Sequence, residues 1–354
     1  VIAVVLIAIV AYFALQQPAA PTPTPTASPS PSTTPTPTQT PTTTPQMRYT
    51  VIIATGGVGG VYYYYGGVVA GILKNFTNID ASSIQTAASI DNLLLIRDKT
   101  DPGRGLYYCA TVLPDSAYLA YTGQHDKFKD KPAPIAILWA MYPNYLHIVT
   151  RSDSGIKTVY DLKGKRVSTG APGSGTEVEA LLLLQVLGID PAKDFAKWER
   201  LGAAESANAL RDGTIDAYFW SGGLPTSSVV ELAAALKQRG VSLVLIEVPD
   251  EVITQFSAKF PGLASKSVIP KTVYGTEKDV QTLTFWNMFV CHKDMPEDLA
   301  YQITKAVFDH LDILQKSVAA ARDTNLQNAL LYYGGTIPYH PGALRYYREK
   351  GVLK

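Results

Sequence analysis

The stretch Lys165–Gly188, KRVSTGAPGSGTEVEALLLLQVLG, decides how the rest of the chain is read. A short apolar strand runs into a loop of small residues, and the loop opens a helix whose first turn carries Ser174, Gly175, Thr176 and Glu177. A helix N-terminus leaves backbone N–H groups without partners and carries partial positive charge, so small residues there let an anion approach. Ser174 and Glu177 also have the S-x-x-E spacing of a capping box, which would satisfy the same donors internally. The ligand reading is favoured because the chain builds the arrangement twice. Residues 49–55 (YTVIIAT) predict a strand, Gly56 to Gly60 a tight turn, and Tyr62 to Phe76 a helix. Four consecutive tyrosines, Tyr62 to Tyr65, cannot all face one core, so at least one or two are expected along the loop, toward solvent or a cleft.

Outward from these two segments, short apolar strands alternate with helices from Arg48 onward, which argues for an α/β protein with mostly parallel sheets. Ser89 opens the helix SIDNLLLIRD, the strand 106–113 runs into Pro114-Asp115-Ser116, and the strand 215–220 ends in Ser221-Gly222-Gly223 before another helix. Open α/β sheets bind ligands at such strand ends. Residues 135–141 and 145–151 predict two strands, the second leading into a new lobe, and 285–292 (FWNMFVCH) predicts the return crossing. Two lobes follow, 48–148 with 285–354, and 149–284.

Residues 1–17 begin with a nearly unbroken apolar run, read as a signal peptide or membrane anchor, with an uncleaved anchor favoured. Residues 18–47 are Pro, Thr and Ser with no apolar periodicity, a composition that stays extended and disordered and serves as a linker. Anchor and stalk together place the remainder outside the cytoplasm, against the membrane. Net charge is +1 over 354 residues, so nothing in the totals points to nucleic acid. The two cysteines, Cys109 and Cys291, are too few for a metal cluster. They can pair in an oxidising compartment, although two buried free thiols are the favoured reading. Asn75-Phe76-Thr77 is a glycosylation sequon.

The motifs offer no positive evidence for catalysis. Gly170 to Gly175 has P-loop spacing, but Thr176 and Glu177 stand where Lys and Ser/Thr are needed, which removes the cation that neutralises phosphate. The early glycine cluster places Tyr62 at the third glycine of a dinucleotide fingerprint. There is no G-x-S-x-G elbow, no H-x-x-x-H or H-E-x-x-H pair, and His147 and His292 lie in apolar strands as packed or hinge residues. What remains is a cleft lined by helix starts, hydroxyls and aromatic rings, able to close by hinge motion on a small anion. No cofactor or metal is expected.

At that point the chain resembles the TAXI branch of solute-binding receptors for TRAP transporters, secondary transporters driven by ion gradients. The matching segments are IATGGVGGVYY near the start, AASIDNL ending at Leu93, SGIKTVYDLKGKRVSTGAPGSGTE at 154–177, LRDGTIDAYF at 210–219, HKDMPEDLAYQITKAV at 292–307 and IPYHPGALRYYREKG at 337–351. The resemblance implies a two-lobe type II periplasmic binding protein fold with hinge strands. It also implies a monomeric receptor that hands a small carboxylate, such as glutamate, glutamine, a 2-oxo acid or a dicarboxylate, to a TRAP membrane permease. Ligand contacts are implied at Thr55, Gly57, Tyr62, Ser89, Asn92, Ser174, Gly175, Thr176 and Glu177, with Trp220 and Gly222 a weaker carry-over. The family has Thr where this chain has Val58 and Val61, which makes the pocket wall less polar. A receptor for an ABC importer or a sensor, and an enzyme on the same fold, are the competing readings.

Overall fold

Two long antiparallel strands run through the whole sheet: β4 (Ile135–Arg151) and β10 (Val280–His292). The computed structural model describes residues 49–353, so the anchor and linker expected at 1–17 and 18–47 lie outside the described residues. On the β10 side the mutually parallel strands β1 (Thr50–Ala54), β2 (Asp80–Ile84) and β3 (Leu106–Val112) follow in the order β2-β1-β3. On the β4 side lie β5 (Arg166–Ser168), β6 (Lys197–Glu199) and β7 (Ala217–Gly222), parallel among themselves, in the order β7-β5-β6. Two short strands, β8 (Leu243–Leu245) and β9 (Ser265–Ile269), extend β4 and β10. Parallel strands need helical crossovers, and those helices give each triplet its own buried core.

The cores show where one half passes to the other. Trp139 of β4 and Phe289 of β10 stack with ring centroids 4.1 Å apart in the first core. Farther along the same strands, Leu146, Ile148, Leu283 and Phe285 belong to the second. Adjacent residues of β7 face opposite ways, Phe219 into that core and Tyr218 into a third cluster on the other side of the small sheet, as strand alternation requires. Helix α1 (Val61–Phe76) is fastened to the first core through Tyr65, whose hydroxyl accepts from Trp139 Nε1 at 2.9 Å. Of the four tyrosines, Tyr65 is buried, Tyr62 lines the cleft, and Tyr63 and Tyr64 are exposed.

Three expectations change. Residues 135–151 form one strand rather than two: Pro143 lacks an N–H, but it sits opposite Trp286 where β10 shifts register before Met288, so the ladder continues past it. The return strand begins at Val280 because Thr282 and Thr284, polar in sequence, donate their hydroxyls to Leu146 O and Asn144 O. Cys109 and Cys291 are joined, which overturns the free-thiol reading. They are direct cross-strand partners in the β3–β10 register, a proximity that a separation of 182 residues conceals. Among the described residues no helix is long and apolar enough to cross a membrane.

Candidate functional site

Several strand and loop ends converge where β4 and β10 cross. Gly56 to Tyr62 and Gln85 to Ser89 come from the first half, and Ala171 to Thr176, Gly202 to Glu205 and Trp220 to Gly222 from the second. With Tyr142 and Asn144 of β4 between them, they line a cleft of about 180 Å³. The halves meet across it. The amides of Ile90 and Asp91, in the first turn of α2 (Ser89–Lys99), donate to Gly173 O at 3.1 and 3.3 Å, and Ser227 Oγ donates to Gly59 O at 3.1 Å. Gly173 has φ +84° and faces Asp91, so only glycine fits this close approach. Gly175 is packed so tightly against Ser89 and Leu113 that a Cβ would lie 2.6 Å from Ser89 Oγ and 2.5 Å from Leu113 Cδ1.

Helix α4 (Gly175–Leu187) opens on the cleft with Ser174 as its N-cap. Ser174 Oγ accepts the amide of Glu177 at 3.0 Å, so half of the capping box forms, while the amides of Gly175 and Thr176 have no intrahelical acceptor. Two more lining hydroxyls behave alike. Ser89 Oγ accepts from Leu113 N at 3.1 Å, and Thr176 Oγ1 accepts from Ser221 N at 3.2 Å. A hydroxyl that has taken a backbone N–H keeps one proton to donate, so Ser89, Ser174 and Thr176 present O–H donors to an acceptor in the cleft.

Of the residues named from sequence, Gly57, Tyr62, Ser89, Ser174, Gly175, Thr176, Trp220 and Gly222 line the cleft. Thr55, Asn92 and Glu177 do not, and their side chains are committed elsewhere. Thr55 Oγ1 donates to Ile84 O at 2.7 Å. Asn92 Nδ2 donates to Thr55 O and Thr111 O at 2.7 and 2.8 Å, tying the ends of β1 and β3 together, and its Oδ1 accepts from Thr86 Oγ1. Glu177 forms an ion pair with Arg200 and accepts from Gly173 N. At the start of α2, Gly173 O takes two of the backbone amides.

Three features of the site were not legible in sequence, and a fourth residue, His147, is packed in its strand as its apolar surroundings predict. Ala88 lines the cleft with φ +94°, a region that alanine rarely adopts and that costs on the order of 1–3 kcal/mol. Asn287 of β10 donates to Tyr142 O and Asn144 Oδ1, both at 2.8 Å, and accepts from the Tyr62 hydroxyl, so the crossing point and the cleft share one network. Burial holds the Tyr62 phenol well above its ordinary range, and it stays a neutral donor. Among the described residues that line the cleft, Glu205, near the start of α5 (Ala203–Arg211), is the one charged side chain. His147, beneath Trp220, is held neutral: burial pushes its imidazole down to about 4, and Nε2 lies 3.0 Å from the Tyr274 hydroxyl.

Two cores joined by a pair of crossing strands, with a ligand-sized cleft between them, define a two-lobe α/β fold of the periplasmic binding protein type. Solved structures share it. MatC from Rhodopseudomonas palustris with bound malate is similar at TM-score 0.51 and 14% identity, over 87% of this chain and 98% of that one. PhnD1 from Prochlorococcus marinus in complex with methylphosphonate is similar at 0.50 and 13%, over 78% and 89%. A binding protein component of an ABC phosphonate transporter from Pseudomonas aeruginosa is similar at 0.50 and 11%, over 77% and 79%. By sequence, the chain belongs to the NMT1-like family, whose model matches residues 53–351.

Proposed function

We propose that this protein is an extracytoplasmic solute receptor that binds a small carboxylate between its lobes, 48–148 with 285–354 and 149–284, and delivers it to a membrane permease of the TRAP type. The observation that carries the reading is the set of three hydroxyls, Ser89, Ser174 and Thr176, each already accepting a backbone amide and so left to donate. With the amides of Gly175 and Thr176, they suit a carboxylate better than a donor-rich ligand. Tyr62, Tyr142 and Trp220 line the same cleft and would cover an apolar portion. Among the described residues no cationic side chain lines it and Glu205 does, so a ligand amino group has a partner while a second carboxylate does not. Amino acids are therefore favoured within the carboxylate class. MatC, of similar fold, holds malate, which supports a small carboxylate in such a cleft. The Cys109–Cys291 pair supports an oxidising, extracytoplasmic location.

A receptor for an ABC importer is the second reading, favoured by the likeness to the ABC phosphonate component. A thermal-shift screen over amino acids, 2-oxo acids, dicarboxylates and phosphonates separates the two ligand classes. At about a hundred times its dissociation constant, the true ligand adds roughly 2.7 kcal/mol. A shift with an amino acid recovered unchanged is the expected result. A shift with phosphonates alone would favour the second reading, and consumption of the ligand would make the protein an enzyme.

A further inference from the structure

Two carboxylic acids lie beneath the cleft, and the binding surface uses neither. Asp115 is in the first turn of α3 (Pro114–Tyr121), which follows β3 in the first half; Glu179 is in the second turn of α4, in the other half. The two helices pack on each other. Both side chains are fully buried. Asp115 Oδ1 accepts the amide of Ser116 at 2.6 Å, whereas Asp115 Oδ2 and both carboxyl oxygens of Glu179 have no hydrogen-bond partner. The hydroxyls of Ser116 and Tyr142, also buried, are unpartnered too.

Among the described residues no cation answers this pair. The titratable groups coupled to it are the phenols of Tyr62 and Tyr332, with Tyr142 beside Tyr62, all kept neutral by burial. On the elements packed against α3, Arg97 of α2 is paired with Asp98, Asp91 faces Gly173, and Lys99 is exposed. Asp126 is paired with Lys129, Lys127 is exposed, and His292 of β10 lies 4.0 Å from Asp294. Against α4, β7 carries no charge. On the helix Asp250–Lys259, Asp250 is paired with Lys266, and Glu251 and Lys259 are exposed. On α4 itself, Glu177 is paired with Arg200. Two ionised carboxylates cannot share a dry interior without a counter-charge. Burial raises both groups above the ordinary carboxylate range, and each disfavours the charge of the other.

We propose that the buried, unpaired carboxyls of Asp115 and Glu179 together take up one proton from solvent when the two halves close, so that acid favours the closed form. In the open form both acids meet water and ionise near their ordinary values, about 4. Closing therefore converts a doubly ionised pair to a singly ionised one, with one O–H bond formed and no other bond changed. The closed form holds one more proton, so the closing equilibrium falls by up to tenfold per pH unit as pH rises above the open-form range. This inference rests on the fold and the pair, whatever solute the cleft takes.

Small-angle scattering of the ligand-free full chain, from about pH 8 down to about pH 5, reads it directly. The wild type is expected to become more compact as pH falls, while variants that carry Asp115→Asn and Glu179→Gln together, which keep shape and remove both titrations, lose that dependence. A wild type equally compact at all pH values, or variants that keep its slope, would overturn the proposal. Compaction by added sodium, potassium or calcium at fixed pH, absent in the variants, would also overturn it, since the pair would then hold a metal ion. Should the variants not fold, infrared spectra of the wild type over the same pH range decide: a carbonyl band of a buried protonated carboxylic acid that grows in step with compaction supports the proton uptake, and compaction without it refutes it.

Discussion

Gly175→Ala separates closure from folding. Gly175 belongs to the second half, and the atoms that an added methyl would strike, Leu113 Cδ1 at 2.5 Å and Ser89 Oγ at 2.6 Å, belong to the first. Ordinary contact begins near 3.4 Å, so the overlap is close to 1 Å on two sides. Overpacking of this kind costs typically 1–3 kcal/mol, and here only the closed form bears it. Affinity for the amino acid found in the screen should therefore fall about 5- to 150-fold. In the open form the methyl meets solvent, and alanine is the better helix residue, so the melting temperature of the ligand-free protein should hold or rise slightly. Calorimetric titration and thermal melting of the same two proteins give both numbers. Unchanged affinity would show that ligand binding does not need this contact, and a large loss of ligand-free stability would show that the halves are closed without ligand.

Further outcomes follow from other parts of the structure. Reducing the Cys109–Cys291 bridge, or Cys109→Ser with Cys291→Ser, should lower unfolding stability by about 2–5 kcal/mol, read from the denaturant midpoint with and without reductant; an unmoved midpoint contradicts the pairing. Ala88→Gly should stabilise the protein by roughly 0.5–1 kcal/mol because glycine accepts φ +94° without strain, and a destabilised variant would argue against that conformation. His147 is neutral when folded and titrates near 6.5 when unfolded, so the unfolded chain binds the extra proton between about 6.5 and about 4. Stability is whole above that window and should fall by on the order of 3 kcal/mol across it, a slope that His147→Asn removes in pH-dependent melts.

Local chemistry made the helix starts and glycine loops legible. The alternation of YTVIIAT, the glycines after it and the apolar run after Glu177 each report on a few neighbouring residues, and β1, α1 and α4 form close to where those signals place them. Register is a property of pairs, and there sequence reading stopped. Nothing near Pro143 announces that β10 shifts opposite it, and nothing near Cys109 announces Cys291. β2 (DASSI) is a polar edge strand without the alternation that would mark it. The site divides in the same way. Ser174 and Gly175 were readable as a helix start, whereas Asn92 as a fastener, Arg200 as the partner of Glu177 and the buried pair Asp115 and Glu179 depend on elements far apart in the chain.

The covalent bridge from Cys109 to Cys291 clamps β10 to β3 entirely within one lobe, four residues short of Asn287. A clamp on that side of the fulcrum leaves the other lobe free to swing, yet denies the crossing strand any slippage at its root. Any rotation between the lobes would then be taken up around Pro143 and Asn287, and the hydrogen bond from Tyr62 to Asn287 would carry it to the cleft wall.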